Sequence, residues 1–185
     1  MISSPVESAS LKGNTLSHLL KVGIPDGTAA RVPANQTIRT KLEIDRDPPG
    51  GFATESRYLL LPVPFAVRVC ALPDLFAGKI HALLFRRWKS RVKGRDWYDF
   101  VWFVTRHPQL HISHLEERMR QSGHLRGRQA LGPEGLARML EDAITRLDVR
   151  QAQQEVRAFL KHPESVDAWS PEFFRDLADR IQYAS

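Results

Sequence analysis

The alternation of apolar and polar residues divides the chain into a strand-rich first third and a helical remainder. Thr37 to Asp45 has period two: Ile38, Thr40, Leu42 and Ile44 point one way, and Arg39, Lys41, Glu43 and Asp45 the other. That period predicts a strand with one buried and one polar face. Residues 16–22 form a short apolar run that predicts another strand, and Pro25-Asp26-Gly27 carries turn chemistry. The Asp47-Pro48-Pro49-Gly50-Gly51 segment ends the alternating strand. Residues 57–71 are apolar and β-branched, and Pro62 and Pro64 within them predict an edge strand or a kinked approach.

After Pro73 the period becomes helical. Proline near the start and Asp74 in the first turn suit a helix N-terminus. Leu75, Phe76, Ile80, Leu83 and Leu84 then make an apolar face that runs to about Trp88. Gly94 breaks the pattern, and residues 96–106 resume it with Trp97, Phe100, Val101 and Val104. Residues 111–121, 133–147, 149–160 and 171–183 read as further helices. Strands first and helices after predict an α+β class: a small mixed sheet in residues 1–71 and a helical bundle in residues 72–185. About three strands is fewer than the ~5–6 of a typical sheet, so the sheet is expected to be incomplete.

At 42% hydrophobic and 26% charged over 185 residues, the chain can bury a core of its own. A single cysteine, Cys70, excludes an intrachain disulfide framework and a CxxC metal site, and predicts a reducing, cytoplasmic setting. No apolar run approaches the roughly 20 residues that span a bilayer, and the first residues do not read as a signal peptide, so no membrane partner is expected. The net charge of +6 favours anionic partners. Its distribution is more telling. Six of the ten residues from 86 to 95 are basic: Arg86, Arg87, Lys89, Arg91, Lys93 and Arg95.

The candidate chemistry lies beside that segment. Lys79 sits among small and apolar residues next to Gly78, where it either snorkels to solvent or meets an anion. Asp96 and Asp99 are three apart, on one side of their helix. Asp96 also suits a first-turn acid, and Asp99 also suits a salt bridge to an arginine or lysine. Glu43 and Asp45 share a strand face, as a solvated edge or as oxygen ligands for Mg²⁺. His81, His107, His111 and His114 have no HExxH pattern and read as surface or satisfied core histidines. Walker A, GxGxxG and GxSxG motifs are absent from the sequence.

Taken in order, TKLEIDRDPP, LFAGKIHALLFR and WKSRVKGRDWYDFVWFV resemble the AbiEii/AbiGii nucleotidyltransferase toxins of the DNA polymerase β-like superfamily. ESASLKGNT, from Glu7 to Thr15, resembles the segment that precedes that family's middle strands. The resemblance implies transfer of a nucleoside monophosphate from an NTP to an acceptor such as tRNA, with Mg²⁺, in toxin–antitoxin or phage-defence systems. By motif, Glu43 falls on a metal carboxylate, Lys79 on the phosphate-contacting lysine, and Asp96 or Asp99 on the last aspartate. Arg86, Arg91, Lys93 and Arg95 would bind nucleotide or RNA phosphates. The family's first motif, Gly-Ser followed by Asp-x-Asp or Asp-x-Glu, does not occur in residues 1–40. The expectation is therefore a C-terminal portion, truncated relative to the family and inactive alone. It would be completed by an upstream polypeptide, or would act as a non-catalytic module binding RNA, nucleotide or a protein such as an antitoxin.

Overall fold

The computed structural model describes residues 6–14, 35–61, 63–86, 93–127 and 129–184. The strand expected at 16–22, the turn segment after it, and the middle of the basic segment with Arg91 lie outside the described residues. The chain forms two compact units, Met1–Pro48 and Pro49–Ser185, so the apolar stretch at 57–71 belongs with the helices.

In the first unit β1 (Val6–Asn14) pairs antiparallel with β2 (Thr37–Asp45), with Val6 opposite Asp45 and Asn14 opposite Thr37. The alternation of β2 predicts a buried face, but Leu42 and Ile44 are 55% and 54% exposed. Among the described residues of this unit, no further element packs on the ladder.

In the second unit the stretch read as one strand is a hairpin. Its strands, β3 (Thr54–Leu59) and β4 (Phe65–Cys70), are antiparallel, and Pro64 lies in the connection between them. The helices are α1 (Leu72–Phe85), α2 (Gly94–Arg106), α3 (Ile112–Gln121), α4 (Gly132–Thr145), α5 (Val149–Arg157) and α6 (Pro171–Ala178). A short β5 (Gln109–His111) precedes α3, and β6 (Gln182–Ala184) pairs with it in parallel. The fold is α+β. Among the described residues its strands form three separate pairs, not one mixed sheet.

Side-chain caps start two of these helices. Asp148 accepts the Gln151 N–H (3.0 Å) at the start of α5, and the Ser170 hydroxyl accepts the Phe173 N–H (3.1 Å) at the start of α6. Helix α6 stops well before Tyr183 because the Gln182 N–H is taken by the Pro108 carbonyl (2.9 Å) and the chain joins β5. That pairing is a tertiary demand, invisible in the helical period.

The core is aromatic. Phe76 of α1 stacks on Phe103 of α2 with centroids 4.9 Å apart, and Trp97 packs on Phe174 of α6 at 4.7 Å. Fully burying each such side chain stabilises by about 1.5–3 kcal/mol. Phe76, Ala77 and Ile80 form the buried stripe of α1, fixing which of its sides can face outward.

Two polar or backbone details fasten the helices. Asp74 is 2% exposed. Its Oδ2 accepts the Ala53 N–H (2.9 Å), and its Oδ1 lies 2.5 Å from His111 Nδ1. It thus joins the hairpin base, α1 and β5. Gly94, first residue of α2, abuts α5: a Cβ there would lie 2.0 Å from the Ala152 carbonyl oxygen. Only glycine allows that approach.

Two outcomes follow. Asp74→Ala strands the Ala53 N–H and the His111 ring, and should cost about 2–4 kcal/mol in urea unfolding. Gly94→Ala should cost about 3 kcal/mol or more in the same assay, because backbone cannot yield as a side chain does. A loss below about 0.5 kcal/mol in either variant would contradict the corresponding contact.

Candidate functional site

The functional cluster lies where the outward side of α1 meets the first turns of α2. Lys79 extends from α1, one residue beyond the buried Ala77 and small Gly78, and its Nζ reaches Asp99 Oδ2 at 2.6 Å. Both side chains remain partly exposed, at 46% and 35%. At that exposure an ion pair contributes only about 0–1 kcal/mol, so stability alone is a weak reason for it.

Asp96 stands one turn earlier on α2 and is more enclosed. Its Oδ1 is 3.9 Å from an Arg86 terminal nitrogen, and 12% of its side chain is exposed. Burial raises its pKa above the ordinary aspartate value. Lys93, Arg86 and Lys79 pull the other way, Asp99 reinforces the rise, and desolvation outweighs the cations. Lys93, the residue before α2, has its own pKa lowered, chiefly by desolvation. The result is a compact polar cluster of Lys79, Arg86, Lys93, Asp96 and Asp99. Two carboxylates of different character sit within it. Asp99 is engaged by lysine, whereas Asp96 is drawn toward its protonated form.

The other expected site residues are placed as follows. Arg95 turns to α5: its backbone N–H donates to Glu155 Oε2 at 3.3 Å, its Nε is 4.0 Å from Oε1, and its guanidinium lies 4.9 Å over the Phe159 ring. Glu43 lies exposed on β2 of the first unit and forms an ion pair with Lys41. Arg91 is outside the described residues. The histidines are satisfied. His114 is buried with Nδ1 3.0 Å from the Gly50 carbonyl, His111 meets Asp74, and His81 Nε2 is 2.8 Å from the Ser122 hydroxyl. His81 is held neutral, its pKa lowered to about 4 by burial and then by Arg118, His124 and Arg86.

Sequence reasoning missed Glu155 and Arg118. Both act on this region from helices 60 and 40 residues away in sequence, and neither stands in a motif. Metal ligation is not supported by the donor set here: among the described residues no three His, Cys, Asp or Glu side chains converge. Asp99 is already compensated by Lys79. Among the described residues, no helix is long and apolar enough to cross a membrane.

No curated protein and no solved structure matches the chain. A family model does. The one described as nucleotidyl transferase AbiEii toxin, type IV toxin–antitoxin system, matches residues 7–179, which include Glu43, Lys79, Asp96 and Asp99. The chain therefore belongs to the AbiEii nucleotidyl transferase toxin family.

Proposed function

We propose that the α1–α2 cluster handles the phosphates and the proton in transfer of a nucleoside monophosphate from an NTP to a hydroxyl acceptor, with tRNA as the acceptor class. The observation that carries this reading is the meeting of Lys79 with Asp99 at 2.6 Å, beside a desolvated Asp96, within the span matched by the family. In such a transfer the acceptor oxygen attacks the α-phosphorus, its proton leaves to a base, and the bond to the pyrophosphate oxygen breaks. Lys79 and Arg86 offset the charge that builds on the phosphate oxygens. Asp99 holds the Lys79 ammonium in place. Asp96, with its raised pKa, takes the proton.

Nucleotidyl transfer ordinarily draws on a divalent metal for Lewis-acid stabilisation. The α1–α2 cluster does not fit that role, so no step here is routed through one. Glu43 is proposed as a metal carboxylate. The reading thus has a phosphate-handling portion in this chain, inactive by itself, and an antitoxin as the partner expected of a type IV system. The alternative, a module that binds nucleotide or RNA without transfer, is favoured by the absence of a converging metal donor set among the described residues.

Labelled NTP, bulk tRNA and Mg²⁺ test the reading. The chain alone should give no labelled RNA. Adding a polypeptide that carries the Gly-Ser…Asp-x-Asp motif should give transfer, and Lys79→Ala or Asp96→Asn should lower it by about 10²-fold or more. Labelled RNA that survives Lys79→Ala would refute the role of this cluster. No transfer in any combination, with retained NTP binding, would favour the non-catalytic module.

Asp96 also makes a pH prediction. Its folded pKa lies above its unfolded value, so between the two the folded state holds the proton and the unfolded state does not. Stability then falls as pH rises through the folded pKa, and is greater below it. Urea unfolding from about pH 4 to pH 7 should show Asp96→Asn gaining on wild type as pH rises. A constant difference would contradict the desolvated carboxylate.

A further inference from the structure

On the side of α1 adjoining Lys79, Gly78 receives the flat guanidinium of Arg118 from α3. A Cβ added at Gly78 would lie 3.5 Å from the guanidinium carbon. The Nε of Arg118 is buried with no hydrogen-bond partner, and among the described residues no carboxylate pairs with this arginine. The terminal nitrogens are not buried in the same way and can still be reached. The neighbouring acids are committed elsewhere. Glu116 and Glu117 both turn to Arg120, at 3.1 and 2.5 Å, and the two oxygens of Asp74 serve His111 and the Ala53 N–H.

Asp74 acts on His114 and Cys70 alongside Arg118, but among the described residues it forms no ion pair with that guanidinium. His81 and His114 are held toward their neutral forms first by burial, and Arg118 adds to that effect. Arg86, at the end of α1, is felt by His81 on this side and by Asp96 on the other. A half-buried guanidinium with an unsatisfied N–H and no counter-ion is unfavourable in the unliganded protein. Its fork geometry suits a tetrahedral oxyanion arriving from outside.

We propose that Arg118, seated on Gly78, binds a phosphate group of the substrate on the face of α1 next to Lys79. The choice of phosphate over carboxylate rests on the nucleotidyl-transfer reading. The phosphate belongs either to the NTP or to the acceptor RNA, and the two are separable by experiment.

The test uses the full chain, its Arg118→Gln and Arg118→Lys variants, and sodium tripolyphosphate, citrate and bulk tRNA as probes. Tripolyphosphate should raise the Tm of wild type and bind Arg118→Gln about tenfold or more weakly by calorimetry, with Arg118→Lys in between. Without anion, Arg118→Gln should melt at or above the wild-type temperature, since an uncompensated charge has gone. If the phosphate is RNA's, tRNA affinity falls in Arg118→Gln and its logarithmic salt slope drops by about one. If it is the nucleotide's, tRNA binding is unchanged and only tripolyphosphate is lost.

Equal tripolyphosphate and tRNA affinities in wild type and Arg118→Gln would overturn the proposal. So would a marked loss of Tm in the unliganded variant, which marks a structural arginine, or stabilisation by citrate equal to that by tripolyphosphate. None of these readouts needs turnover. Arg118-dependent binding without transfer would sink the reaction and spare the site, whereas Lys79-dependent transfer without it would do the reverse.

Discussion

Helix α1 can carry chemistry on two adjoining sides because its third side is locked into the aromatic core. Phe76, Ala77 and Ile80 are fully buried, and Phe76 lies flat against Phe103 of α2. With rotation about the helix axis fixed in this way, Gly78 must face α3 and Lys79 must face α2. Helix α2 is held by a different constraint, the approach of Gly94 to the Ala152 carbonyl of α5. The two constraints together set the distance at which the Lys79 ammonium meets Asp99. The polar cluster is a consequence of apolar packing and one missing side chain, not of its own ion pairs.

Within the cluster, two aspartates one turn apart behave differently, and burial decides which does what. Asp99 is more exposed and has a lysine at hydrogen-bond distance. Asp96 is nearly enclosed, and the Arg86 guanidinium stands 3.9 Å from its Oδ1, beyond hydrogen-bond reach. Coulomb attraction at that range does not recover the lost hydration, and the proton is held more tightly. A lysine-paired carboxylate and an enclosed one with a raised pKa are thereby made from the same residue type.

What the sequence disclosed was what depends on near neighbours. Lys79, Asp96 and Asp99 stand out because a charged residue inside an apolar helical period is unusual within a few positions, and the Asp96–Asp99 spacing defines a shared side. The α+β order follows from the change of period near Pro73. What stayed hidden depends on contacts far along the chain. Gly94 reads as a breaker of a basic run, whereas its reason is a carbonyl 58 residues later. The sequence also gives no sign that the Arg95 backbone N–H donates to Glu155 or that its guanidinium lies over Phe159. The hairpin at 54–70 reads as a single strand because its connection is itself apolar, Leu60, Leu61 and Val63 among it, and those side chains are exposed.

The same physics sets a trade between function and stability. A desolvated Asp96 and a guanidinium with a buried, unpartnered Nε both weigh against the folded state. They flank one helix, and the exposed Lys79–Asp99 pair returns little. The compensation lies in the packing beneath them: Phe76, Phe100 and Phe174 are almost wholly buried, and Trp97 and Trp169 nearly so. Each contributes more than a surface ion pair does. A charged site of this kind therefore requires an aromatic floor. An enlarged cavity under α1 would be expected to disturb the site before it unfolds the chain, because the polar groups above have no stabilising surplus to hold them in place.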